Sequence, residues 1–491
     1  MTPAWKSAVR AAATVLAGGG LVVAAGSVPG TVSLRGPLTT VADTAPRLVP
    51  VQSAALSCPG PESEGLQGVA AIAGTSTVVA ATAPAEALKD VTVSSGPGAL
   101  QVRAMPAATM LGQSQQRTRG VAAAVQGPTV AEVTASGSLA PGLAAMQTWL
   151  QSEGDDRALV TAPCSPAKAE LWLVAGGGES TRREHITLVN PGANSVSADV
   201  AVLGAGGSIA SANGRDVAVP PRGRVTLLLD ALVGPEQFPV VHVTATGGVL
   251  TAVLEDSWVE GAVGRGADDA TPSADPSTEQ VIPAAYVSGP ARLRVAVPGS
   301  DEAVVQARVL TADGPQPLPG EGVLRIPGGS VRDIDLGSLS AGAYAVQVRA
   351  DRPVVAGAML ERRGDGSGQS DLAWTTSTAP IPVLAGTPLP DGFSASLMLV
   401  GTGEPAGATV VTVSGTGAEA VKDVAVQADS VSVVDVSGAA QVWVRQTSGV
   451  LRAGVALSLA DIPGATPLFS VLPLRPIAVN VTQVPVREVQ R

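Results

Sequence analysis

The chain contains two histidines, His185 and His242, two cysteines, Cys58 and Cys164, and three short acidic clusters. A catalytic or metal site would have to draw on these residues. Histidine is the usual general base near neutral pH. His242 stands in "VHVTATGGVLTAVLE" (241–255), and two related segments carry Gln347 and Trp443 at the same place. A residue exchanged so freely reads as a sheet-face position. His185 opens the strand-like run "HITLV". The clusters "SEGDD" (152–156), "LEDSWVEG" (254–261) and "ADDATPSAD" (267–275) lack the alternating pattern of a calcium loop and read as solvated acidic loops. Nothing marks a carboxylate pair for glycoside hydrolysis.

No G-x-S-x-G elbow, H-E-x-x-H, phosphate-binding loop or EF-hand occurs. "GTGEPA" (401–406) formally fits a dinucleotide fingerprint. The run "TVVTVSG" that follows is a strand, so no helix N-terminus would meet a phosphate. No catalytic, cofactor-binding or metal-ligating residue is assigned, no cofactor is expected, and a non-enzymatic protein is expected. Glycan binding usually needs exposed aromatic platforms. Trp258, Trp374 and Trp443 are the candidate ligand or partner contacts, with Trp443 expected to face solvent because it replaces His242 and Gln347. Trp149 sits at a comparable exit. An aromatic there more often plugs a core.

The elements that position these residues are short strands. Ala and Val dominate the apolar set, while Gly (57) and Pro (39) are spread along the chain. Branched residues between frequent Gly and Pro give strands and turns. The net charge of −10 disfavours nucleic acid and anionic lipid. Lys6 and Arg10 precede an uncharged run from Ala11 to Ala25, a secretory h-region. Residues 1–30 are therefore read as a signal peptide or an uncleaved signal anchor, and 31–53 as a linker. The body is expected outside the cytoplasmic membrane. Exported chains favour disulfides, and a Cys58–Cys164 bond is expected, two buried thiols being the alternative.

The segment "YAVQVRADRPVVAGAMLE" (344–361) has relatives at 241–255 and 442–459. Val241, Val346 and Val442 lie 105 and 96 residues apart. Alternation, a Gly/Pro turn and renewed alternation predict a β-hairpin. Each copy follows further strand-like runs, so the fold class is all-β, with tandem immunoglobulin-like β-sandwiches over 168–283, 284–380 and 381–491. A fainter copy at 132–143 leaves open a first sandwich over 54–165. A repeat this long indicates separate beads on connectors such as 264–280 and 362–371.

"LWLVAGGGESTRREHITLVNPG", "VPPRGRVTLLLDAL" and "VHVTATGGVLTAVLEDSW" show a W-x-x-x-G-G, N-P-G and P-x-G-x-V pattern. It resembles an actinobacterial family of unknown function whose members are exported or membrane-anchored. "CPGP" and "APC" fit the same family. The resemblance implies no catalytic residues. It implies an envelope role by association, since members are often encoded near a membrane glycosyltransferase. The function expected is a multi-domain envelope scaffold or protein-interaction module. A glycan-binding accessory protein is the alternative. The expected partner is thus an envelope protein or glycan, with membrane contact only through the N-terminal segment.

Overall fold

Val- and Thr-rich runs punctuated by Gly and Pro form antiparallel strands throughout. The computed structural model describes residues 47–60, 75–152, 157–179, 181–261, 263–318, 323–363, 368–459 and 468–483. The N-terminal segment 1–30 and most of the 31–53 linker lie outside them. Val49–Val481 forms one compact unit. Of a second unit, 1–48 with 482–491, only residues 47–48 and 482–483 are described, all extended. Among the described residues, helix is confined to Leu229–Val233 and two short 3-10 turns. No helix among the described residues is long and apolar enough to cross a membrane.

Apart from one two-stranded sheet, the sheets among the described residues fall into four pairs that share one strand order. In the last, Leu384–Pro388, Ala439–Ser448, Ala406–Ser414 and Glu419–Val426 form one sheet. Ser430–Asp435, Phe393–Gly401, Leu451–Leu459 and Phe469–Leu474 form the other. Numbered along the chain, the orders are 1-6-3-4 and 5-2-7-8. The same orders recur in the first pair, from Ser53–Cys58 to Ala158–Pro163, and with an extra short strand in the second, from Glu170–Val174 to Val263–Ala270. The third runs from Ser277–Val287 to Ser370–Thr376. There the long strand Gly342–Arg363 serves as both sixth and seventh and joins the two sheets into one of eight strands. Each pair encloses apolar side chains from both of its sheets. In the first repeat these include Val78, Leu100 and Val133.

Two expectations are corrected. The recurring segment is not a hairpin. In the second repeat Val240–Thr246 pairs with Glu170–Val174 and Val196–Gly204, while Thr251–Glu260 pairs with Arg182–Asn190 and Val263–Ala270. The chain crosses between facing sheets. Its alternation exists because Val241 and Val243 enter the core from one sheet, and Ala252 and Leu254 from the other. Period two cannot distinguish this arch from a hairpin.

Nor are the repeats beads. The first stretch expected as a connector holds nearly all of the closing strand Val263–Ala270, and the second runs into the start of the closing strand Ser370–Thr376. These touch in a closed cycle with Ala158–Pro163 and Phe469–Leu474, repeat one meeting two, two meeting three, three meeting four, and four returning to one. Where repeats touch, their outer sheet faces are buried accordingly. Leu397 and Leu399 fill the core of the fourth repeat, while the alternate residues Met398 and Val400 pack into that of the third. A Cβ on Gly357 would stand 3.0 Å from Val174, and one on Gly454 would stand 2.6 Å from Ala284. Each glycine lies on a seventh strand against the opening strand of the preceding repeat, so its missing side chain sets how closely neighbours approach.

Candidate functional site: the junction of the closing strands

The four closing strands carry buried polar groups where they meet. Asp371 is fully buried. Its Oδ2 accepts the backbone N–H of Phe469 at 2.9 Å and of Leu159 at 3.3 Å, and its Oδ1 accepts that of Leu372 at 3.0 Å. One side chain thus ties the third repeat to the fourth and the first. Asp268, also buried, accepts the backbone N–H of Trp374 at 2.6 Å and the Ser470 hydroxyl at 3.3 Å. Thr161 Oγ1 donates to Ser470 Oγ at 2.7 Å, closing the cycle. Asp269 accepts from Gln147 Nε2 at 3.1 Å. Burial pushes the Asp268 and Asp371 carboxyls well above the usual carboxylate range, against the backbone donors that pull them down. The Asp269 carboxyl is raised to about 7, burial again outweighing Gln147 and nearby Arg224.

A second network bolts the second repeat to the third. Arg182, on Arg182–Asn190, grips Asp256 with Nε at 2.7 Å and Nη2 at 2.6 Å. Trp374 Nε1 of the third repeat donates to the same carboxylate at 2.6 Å. Arg182 also bridges to Glu179 at 2.9 Å. Glu184 lies 3.7 Å from Arg182 Nε and accepts the Gly177 N–H. Desolvation and the neighbouring Asp256 raise the Glu184 carboxyl to about 8. One arginine therefore sits between Asp256, which it grips with two nitrogens, and a carboxyl whose pKa burial raises.

Further arginines work the same way at the other joints. Arg294 donates to the Gly176 carbonyl at 2.8 Å and the Pro239 carbonyl at 3.0 Å while gripping Asp333. Arg452 of the fourth repeat donates to the Thr378 carbonyl at 3.0 Å. Arg224 of the second reaches the Pro59 carbonyl of the first at 3.0 Å. The rigid, fork-shaped guanidinium suits such several-pronged contacts to carbonyls and carboxylates.

The cysteines form a disulfide, with S–S 1.99 Å and Cα–Cα 4.5 Å. It joins the opening strand of the first repeat to the end of its closing strand. Such a bond fits an oxidising, extracytoplasmic compartment.

The tryptophans behave differently from one another. Trp374 is 3 % exposed and Trp443 fully buried. The solvent-facing reading of Trp443 is therefore corrected. It packs with Ala81, Leu384 and Val411 between the first and fourth repeats, and its Nε1 donates to Gln441 at 3.1 Å. Trp258 is half-buried between two guanidiniums, with Arg182 5.2 Å and Arg265 5.8 Å from its ring. His242 stacks on Trp172 at 3.9 Å and meets Glu170 at 2.9 Å. His185 lies half-buried on its strand.

The acidic clusters at 254–261 and 267–270 are strands rather than solvated loops, and Asp256 and Asp268 are 1 % exposed. Residues 153–156 of the third cluster are outside the described residues. The buried aspartates were missed because no pattern distinguishes a structural acid from a surface one. The available hint was Asp268 at an alternating position with Gly264, Gly266 and Ala270.

Residues 119–437 match the family of unknown function designated DUF5719. No curated protein matches the chain.

Proposed function

The chain belongs to the DUF5719 family of unknown function, and we propose that this member is a non-enzymatic, exported scaffold of an actinobacterial cell envelope. Its immunoglobulin-like sandwiches are locked into one body that engages an envelope protein. The observation that carries this reading is the junction: the strand-lacing contacts of Asp268 and Asp371 are to other parts of the same chain. Buried acids committed in this way hold repeats together, leaving the outer sheet surfaces to meet a partner. Two antiparallel sheets about a common core support the immunoglobulin-like assignment, the closing strand being an addition to it. Export is supported by the h-region of the N-terminus and by the Cys58–Cys164 bond.

The test is in-envelope cross-linking and affinity capture, run with and without enzymatic digestion of glycan. Recovery of the same membrane protein in both samples is expected. Capture that depends wholly on intact glycan would replace the protein-scaffold reading with the glycan-binding one.

A further inference from the structure

The first and fourth repeats enclose a cleft of about 810 Å³ that the junction does not use. Its floor is the outer face of a first-repeat sheet, where Thr77 on Thr75–Thr82 stands directly across from Thr148 on Leu143–Gln151. Its far wall comes from the fourth repeat, including Ser414, Thr416 and Gln441. The volume falls within the usual range of small-ligand sites, about 300–1,000 Å³.

The lining is chemically distinctive. Among the described residues it is rich in hydroxyl and amide groups, with one cation, Arg119, and one anion, Asp391. Leu150, 41 % exposed, and the half-buried Phe393 add an apolar patch. Gln441 is fixed in place, its Nε2 donating to the Thr118 carbonyl at 3.2 Å and its Oε1 accepting from Trp443. That contact spans the two repeats and fixes part of the cleft wall. The Thr148 hydroxyl is closed off from solvent and offers nothing to a ligand, whereas Gln116 and Thr416 on the same lining are exposed.

We propose that this cleft binds an uncharged oligosaccharide. A sugar ring presents hydroxyls around its edge and C–H groups on its faces, matching hydroxyl and amide walls beside Phe393 and Leu150. The balanced pair Arg119 and Asp391 offers nothing to a strongly charged ligand. Apolar residues such as Val79, Leu150, Leu389 and Phe393 alternate with the hydroxyl and amide groups, a mixed lining that suits the two-sided chemistry of a sugar better than a wholly greasy ligand. The site uses none of the three tryptophans singled out in the sequence, and it stands independently of the protein-scaffold reading.

The test is isothermal titration of the intact exported chain with maltohexaose, cellohexaose and mannohexaose, and with a hyaluronan hexasaccharide as the charged control. At least one neutral hexasaccharide is expected to bind with a dissociation constant of about 1 mM or tighter. Gln116→Ala, at an exposed lining position, and Phe393→Ala are each expected to weaken it about tenfold. Unchanged melting temperature shows that the fold survives. Should Phe393→Ala fail to fold, Gln116→Ala alone carries the test. No binding by any neutral probe, binding of hyaluronan alone, or neutral binding indifferent to these substitutions would each overturn the proposal.

Discussion

The Asp371 carboxylate accepts the backbone N–H of Phe469 at 2.9 Å although 98 residues separate the two. The contact joins the closing strands of the third and fourth repeats, and the same oxygen also receives Leu159 of the first. Three repeats therefore depend on one buried side chain. Asp371→Ala would leave three backbone donors without their acceptor. It should destabilise the protein by about 3–5 kcal/mol. Asp371→Asn, which keeps an acceptor oxygen, should cost less. Urea unfolding checks both, and equal, small losses would contradict the assignment.

Acid should stabilise this molecule over a range where many proteins gain nothing from it. Glu184 titrates near 8 when folded, against an ordinary value of 4.5. Its folded pKa is raised, so the associated stability is fully present below about 4.5 and is lost as pH rises through about 8. Asp269, raised to about 7, acts in the same direction. The melting temperature is expected to fall between pH 5.5 and pH 8.5, and Glu184→Gln should flatten that slope. A melting temperature that climbs across this window would show that these carboxyls are ionised at little cost.

The disulfide closes a loop with a sequence separation of 106. Replacing both cysteines by serine should cost about 4–5 kcal/mol in the chain-entropy view. Thermal melts with and without a reducing agent give the comparison. An unchanged melt would place the strength of the first repeat elsewhere.

Arg294 is a test of the joint between the second and third repeats. Arg294→Met abandons two buried carbonyls and leaves Asp333 without its cation, so about 3 kcal/mol should be lost. Arg294→Met with Asp333→Leu should recover part of that loss, because the orphaned charge is gone. No recovery in the double variant would mean that the carbonyl contacts, not the charge pair, carry the joint.

The strands of each repeat were legible in the sequence wherever one face meets the core and the other meets water. Val121–Gln126 alternates buried and exposed residues along its whole length. Legibility failed where both faces are covered. Ser370–Thr376 is buried at every position, so its sequence shows no alternation. Val263–Ala270 does alternate, but its inward residues are Gly264, Gly266, Asp268 and Ala270, none of which signals a core. The closing strands were missed for these reasons, and with them the junction. The Cys58–Cys164 pair was legible because only one intrachain pairing exists for two cysteines. The surroundings of Trp374 and Trp443 were hidden because contact between repeats leaves no local mark on the chain.

The central claim is that four β-sheet repeats form one interlocked body. Differential scanning calorimetry of the intact chain tests it most directly. A single transition, with calorimetric and van't Hoff enthalpies in agreement, is the expected result. Separate transitions, with one repeat melting while the others remain folded, would contradict it and return the molecule to independent beads.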